Sequence, residues 1–164
     1  MSATPDTRLI LREEELDASA ELFVLAEAAF WSTAEAALQD HPSGLGRGHY
    51  RAAFLLKRRP GIGVHELSQL TGLSKQGASR VLSDLERCGY VEKAAGKGDA
   101  RRRPAVLTPE GRTFEARVSE RLRSHLAFAY RSGGLDAAPG FRRILASVAG
   151  SRLTIAAPPD GEAE

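Results

Sequence analysis

Residues 63–93, GVHELSQLTGLSKQGASRVLSDLERCGYVEK, leave this chain the fewest choices of fold. Leu67 and Leu70 share one helical face over 65–71, and Ala78, Val81, Leu82 and Leu85 share another over about 75–88. Only Gly72-Leu73-Ser74 separates them. Glycine adopts the left-handed backbone that ends a helix, and a serine hydroxyl accepts from the free N–H groups that begin one. The pattern predicts a helix-turn-helix. A hairpin follows directly: Gly89 stops the second helix, Tyr90-Val91-Glu92-Lys93 reads as a strand, and Ala105-Val106-Leu107-Thr108 reads as its partner across a tip rich in Gly, Lys and Arg. A helix pair followed by a small hairpin is the order of a winged helix-turn-helix.

The polar residues of the second helix agree with that reading. Lys75, Gln76, Ser79 and Arg80 fall opposite its apolar stripe, with Ser74 at its N-terminus. In a helix-turn-helix the second helix enters the major groove of double-stranded DNA, with its N-terminal residues at base edges. Gln makes paired hydrogen bonds to adenine, and Arg or Lys makes them to guanine, so this face has the chemistry to read sequence. Lys97, Arg101, Arg102 and Arg103 on the hairpin tip are placed to reach phosphates or a minor groove.

The flanks predict long helices. Residues 13–40 lack Gly and Pro, and Leu16, Ala20, Phe23, Phe30, Ala34 and Leu38 recur at helical spacing until His41-Pro42-Ser43-Gly44 interrupts them. A helix over about 47–58 carries Tyr50, Ala53, Phe54 and Lys57; Pro60-Gly61 ends it, and Ile62-Gly63-Val64 is short enough to be one extended strand. Thr108-Pro109-Glu110 pairs an N-cap with Pro at the first helical position, opening a helix over 109–131 with Phe114, Val118, Leu122 and Leu126 on one stripe. Gly133-Gly134 breaks it, and a last helix over about 140–149 holds Phe141, Ile144, Leu145 and Val148. The expected fold is mainly α with a small β wing: a tail over 1–12, a dimerisation helix over 13–45, a winged helix-turn-helix over 46–108, dimerisation helices over 109–149 and a tail over 150–164. Phe23, Phe30, Leu38, Leu122, Leu126, Ile144 and Val148 lie outside the compact lobe, and their stripes predict a homodimer.

Charge is concentrated where the groove-binding elements fall. Residues 1–46 hold two Arg against nine acids, whereas residues 47–103 hold thirteen Lys and Arg against five acids, which marks the middle as the part that meets a polyanion. Apolar runs are too short for a membrane span, and the N-terminus lacks a signal-peptide core, so a cytoplasmic location is expected. His41, His49, His65 and His125 are scattered without a nucleophile or metal-ligand motif, which predicts neither catalysis, metal nor cofactor. Cys88, the single cysteine, lies at a helix C-terminus, where thiol reactivity is disfavoured, and reads as structural or incidental.

Over about residues 13–149 the chain resembles the MarR family of bacterial regulators. VHELSQLTGLSKQGASRVLSDLERCGYVEK is similar to that family's helix-turn-helix and first wing strand, GDARRRPAVLTPEGR to its wing and the next helix, and Asp99-Ala100-Arg101 to its Asp-x-Arg wing signature. The resemblance implies a winged-helix homodimer that binds a near-palindromic operator and releases it when a small molecule binds. It also implies an aromatic or anionic effector between the dimerisation helices and the DNA-binding lobe, bordered by Trp31, His49, Tyr50 and Phe54. Asp99 has the position to order the wing by pairing with Arg101; Arg101 alternatively touches DNA. Pro104 departs from the pattern, because it removes a ladder donor where the second wing strand should begin. The competing reading is a winged helix that binds another protein without specific DNA binding.

Overall fold

The computed structural model describes residues 11–39, 44–94, 104–150 and 152. Its elements are α1 (Glu13–Gln39), α2 (Arg47–Arg58), α3 (Val64–Thr71), α4 (Lys75–Arg87), β1 (Val91–Lys93), β2 (Ala105–Leu107), α5 (Pro109–Gly133) and α6 (Ala138–Ala149), with a short 3-10 turn at Leu135–Ala137 before α6. The two strands pair antiparallel with Val91 opposite Leu107 and Lys93 opposite Ala105. The fold is therefore mainly helical with a small two-stranded wing, as the sequence predicts.

Local chemistry sets most boundaries. Gly72 ends α3 in the left-handed region, φ 73°, and its N–H donates to the Ser68 carbonyl at 2.9 Å. The Ser74 hydroxyl accepts from the Gly77 N–H at 3.0 Å and starts α4. At the far end Gly89 is again left-handed, with its N–H on Glu86 O and the Tyr90 N–H on Leu85 O, both 2.9 Å. These two bonds occupy carbonyls that a helix end otherwise leaves unmatched. β2 begins immediately after Pro104, whose carbonyl still accepts from the Ala94 N–H at 2.9 Å.

The strand expected over Ile62-Gly63-Val64 is absent, because Val64 is already the first residue of α3. The Glu66 carboxylate accepts from the Gly63 N–H at 3.0 Å, and the Gly63 carbonyl accepts from the Leu67 N–H at 2.9 Å. An acidic residue in the first turn that reaches back to the capping amide favours helix over a strand of three residues.

The core lies between α2, α3, α4, the wing root and the first half of α5, and Leu56, Leu67, Leu85, Phe114 and Val118 are its largest fully buried apolar side chains. Each stabilises the fold by about 1.5–3 kcal/mol through removal from water. One corner joins the wing to α5. The Thr108 hydroxyl accepts from the Gly111 N–H at 3.0 Å and donates to the Gly89 carbonyl at 2.7 Å, while the Thr108 N–H donates to Tyr90 O at 3.1 Å. Tyr90 and Phe114 stack beside it with ring centroids 5.0 Å apart and planes 13° from parallel.

The ends of the long helices behave differently. Within α1 only Ala34 and Leu38 are buried, and Leu16, Leu22, Phe23, Val24 and Leu25 are exposed. No residue of α6 is buried, although Phe141 packs edge-on against Tyr130 of α5 with ring centroids 5.8 Å apart. Leu38 and Leu122, expected among the dimerisation residues, are instead 4% and 5% exposed within the single chain, because the second half of α1 packs on α5.

Candidate functional site

α4 is anchored on one side and open on the other. Ala78, Val81 and Leu85 are buried, whereas Lys75, Gln76, Ser79, Arg80 and Ser83 are exposed. The sequence-predicted reading residues therefore share a solvent-facing surface on a helix whose N-terminus is fixed by Ser74. The Ser83 hydroxyl donates to the Ser79 carbonyl at 3.0 Å, within the helix. Gly77 keeps the entry turn compact, since a Cβ there would lie 3.2 Å from the Ser74 hydroxyl oxygen. Lys97, Asp99, Arg101, Arg102 and Arg103, the predicted wing-tip residues, lie outside the described residues, as do the expected helix stop His41-Pro42-Ser43 and most of both predicted tails.

α2 holds α4 from behind through His49. The Nδ1 atom accepts from the Gly46 N–H at 3.0 Å, so the neutral ring carries its proton on Nε2, which lies 3.2 Å from Asp84 Oδ2. Arg87 donates to the other Asp84 oxygen at 2.7 Å. The His49 hydrogen bond foremost, with the nearby Arg87 charge, holds the Asp84 carboxyl below the usual carboxylate range. A lowered folded-state pKa contributes stability that is present above the unfolded value of about 3.9 and is lost as pH falls through the folded value. Asp84→Asn should therefore lower the melting temperature at neutral pH, with the gap to the parent protein closing in strongly acid solution. A gap that is constant from pH 7 to pH 3 would contradict the role given to the carboxylate.

A cavity of about 390 Å³ opens between α1, α2 and α5, with Leu70 of α3 at its edge. Phe30, Trp31, Phe54, Leu55, Leu122 and Leu126 form its apolar wall, Tyr50 and Ser119 contribute hydroxyls, and Arg51, Arg58 and Arg123 contribute cations. Arg51 lies 5.4 Å from the centre of the Trp31 ring, and Arg58 lies 3.9 Å from that of Phe54, so two guanidinium groups are held against aromatic faces. Of the four residues expected at an effector pocket, Trp31, Tyr50 and Phe54 line this cavity. His49 does not, because its ring is drawn to Asp84 and the Gly46 amide.

Sequence reasoning missed the arginines and the polar network behind the cavity. Glu115 is 1% exposed; Lys57 and Ser119 both donate to its carboxylate, and the Tyr50 hydroxyl lies 2.9 Å from Ser119 Oγ. Burial foremost, opposed by the Ser119 bond and reinforced by the Glu115 charge, raises the Tyr50 phenol above its ordinary value and keeps it protonated. The available signal was weak: Glu115 and Ser119 sit one residue after Phe114 and Val118, at the margin of the apolar stripe. Among the described residues, no group of three or more His, Cys, Asp or Glu is arranged to hold a metal ion, and no helix is long and apolar enough to cross a membrane.

A capped helix-turn-helix, a two-stranded wing and long helices on either side define a winged-helix protein. Residues 43–102 match the model of the MarR family. The chain is 36% identical over 140 residues to the HTH-type transcriptional regulator PetP of Rhodobacter capsulatus, covering 85% of this chain and 83% of that protein. This protein belongs to the MarR family, a family of transcription regulators and not of enzymes. Its fold is that of a MarR family protein from Bacillus stearothermophilus, with a TM-score of 0.69 at 20% identity over 84% of this chain and 95% of the other. The Mycobacterium tuberculosis MarR family protein Rv2887 has been solved in complex with DNA; it aligns with a TM-score of 0.60 at 26% identity over 79% of this chain and 95% of its own. The same protein in complex with salicylic acid aligns with a TM-score of 0.61 at 27% identity, over 77% of this chain and 93% of its own.

Proposed function

We propose that this protein is a cytoplasmic, sequence-specific regulator that binds a near-palindromic operator in double-stranded DNA as a homodimer and releases it when a small aromatic or anionic effector binds. The observation that carries the reading is the outward face of α4, where Lys75, Gln76, Ser79 and Arg80 are all exposed on a helix capped by Ser74 and backed by buried Ala78, Val81 and Leu85. Lys97, Arg101, Arg102 and Arg103 would hold the DNA backbone, and Asp99 would order the wing. The DNA complex of Rv2887 supports the use of this fold on DNA.

Dimerisation rests on apolar surface left in water. Phe23 of α1, Phe128 of α5, and Phe141, Ile144 and Val148 of α6 are all exposed. Covering such a surface is favourable by about 25 cal/mol per Å² of apolar area. A monomer in light scattering at micromolar concentration would overturn this part. The cavity lined by Trp31, Tyr50 and Phe54, together with the salicylic acid complex of Rv2887, supports the effector.

Selection of bound fragments from genomic DNA tests the whole reading, because it yields the operator and its half-site spacing. On that operator, Arg80→Ala and Gln76→Ala should each cost about 1–3 kcal/mol while leaving affinity for random DNA nearly unchanged. An unaltered ratio of operator to random affinity in both variants would remove α4 from sequence readout. Affinity should also fall steeply with salt, as phosphate neutralisation requires, and a flat response would favour a protein partner.

A further inference from the structure

Asp84 stands between two arginines of its own helix. Arg87 follows it by three residues and Arg80 precedes it by four, spacings that bring side chains together on a helix surface. The carboxylate is shared unequally between them. Oδ1 accepts from Arg87 at 2.7 Å, and Oδ2 lies 3.2 Å from the Nε2 atom of His49, whose ring is itself fixed by the Gly46 amide on Nδ1. Arg80 makes no hydrogen bond or ion pair with any described residue, and it reaches Asp84 only through the field of its charge.

The helix alone does not dictate that division. Opposite charges four residues apart attract on a helix surface, so Arg80 competes with Arg87 for the same carboxylate. A guanidinium taken by a carboxylate has its paired donors occupied and cannot present them to guanine. What decides the competition here is α2. The side chains of His49 and Asp84 are only 19% and 20% exposed, so the carboxylate is held at the helix contact while Arg80 projects into solvent.

We propose that His49 is a positioning residue for sequence readout: by drawing Asp84 toward α2 it keeps the carboxylate from pairing with Arg80 and leaves that guanidinium open to a base edge. The inference rests on the reading of α4 as the base-reading helix and adds a residue of another helix to those that set specificity. His49 acts through Asp84 and touches no DNA, and Arg87 shares its task by holding the other oxygen. A contact that only fastened α4 would make loss of either partner equally harmful. Under charge partition, loss of His49 is harmful only while residue 84 remains an anion.

The test uses the full-length protein and compares affinity for the selected operator with affinity for random DNA of the same length, below the melting temperature of every variant. His49→Glu keeps an acceptor for the Gly46 amide, as a capping box requires, but offers Asp84 no donor. It should lower the operator-to-random ratio about fivefold, the size of one exposed ion pair gained by Arg80 at each of two half-sites. Adding Asp84→Asn should restore most of that ratio, and Asp84→Asn alone should leave it near the parental value. Arg87→Gln alters a side chain that is 76% exposed, where folding is not at stake; it should lower the ratio in the same direction and be restored by Asp84→Asn as well. A loss with Asp84→Asn alone as large as that with His49→Glu, or no restoration in the double variants, would reduce His49 to a fastening and overturn the proposal. So would an unchanged ratio in both His49→Glu and Arg87→Gln where Arg80→Ala lowers it. An unchanged ratio in Arg80→Ala itself would overturn the assignment of that arginine to base readout, on which the proposal stands.

Discussion

Replacing Gly111 with alanine is expected to destabilise the protein by about 3–4 kcal/mol, a large share of the 5–15 kcal/mol that holds a typical domain folded. A Cβ at this position would lie 2.0 Å from the Tyr90 carbonyl oxygen and 2.8 Å from its carbon. Those are backbone atoms, and they cannot swing aside as a side chain would. Relief requires separating the start of α5 from the wing root, which breaks the Thr108 bonds to Gly111, Gly89 and Tyr90 and disturbs the Tyr90–Phe114 stack. In a chain of this size the melting temperature should fall by roughly 10 °C. Gly140→Ala is the matched control, since nothing lies within 4 Å of its added Cβ and alanine is favoured over glycine within a helix. A Gly111→Ala protein within about 1 kcal/mol of the parent by denaturant unfolding would mean that this corner adjusts more easily than its geometry implies.

The second large effect is expected at Glu115. Glu115→Ala removes both acceptor oxygens from a buried site, taking from the Ser119 hydroxyl the carboxylate it donates to, leaving it only the Tyr50 hydroxyl, and opening space between α2 and α5, for a loss of about 3 kcal/mol. Lys57→Ala removes the other partner, leaving a carboxylate that is 1% exposed without its cation, and should also be strongly destabilising. The informative variant is the pair. Lys57→Met with Glu115→Leu removes both charges and fills the volume, so it should cost well under the sum of the two single truncations. Simple addition of the single effects would show that the two side chains do not act on each other.

The sequence makes some parts of this fold legible and hides others for physical reasons. Gly72, Ser74, Gly89 and Thr108 act on their own helix ends through backbone conformation and hydrogen bonds only a few residues long, so the helix-turn-helix and the entry to α5 can be read without knowledge of the rest of the chain. Pro109 at the start of α5 is a signal of the same kind. The helical start at Val64 is hidden because an isolated Ile-Gly-Val resembles a strand, and the deciding Glu66 contact depends on a side chain reaching back three residues. The 3-10 turn at Leu135–Ala137 follows the glycine pair that marks the break, and no periodicity announces so short an element.

The site divides along the same line. Lys75, Gln76, Ser79 and Arg80 share a face because helical spacing alone requires it, and that spacing is present in one segment. The cavity draws on α1, α2, α3 and α5, so its composition is decided by tertiary packing. Trp31, Tyr50 and Phe54 could be proposed from the family resemblance, but Arg51, Arg58, Arg123 and Ser119 could not. His49 is the instructive error. It neighbours Tyr50 in sequence, yet on a helix consecutive residues point about 100° apart, and here Tyr50 reaches the cavity wall while His49 reaches Asp84.

The arrangement of α4 has a consequence for engineering. The residues that would choose a base sequence and the residues that fasten the helix to the protein belong to different sets: Lys75, Gln76, Ser79 and Arg80 project outward, whereas Ala78, Val81, Leu85 and Asp84 make the attachments. If the first set reads the operator as proposed, a graft confined to it would exchange one operator preference for another while the scaffold keeps its stability. Transplanting a whole helix without an aspartate at position 84 would remove the partner of His49 and would need that partnership rebuilt in the recipient. Libraries for retargeting this regulator are therefore best built on four positions in two turns, with residue 84 held as aspartate.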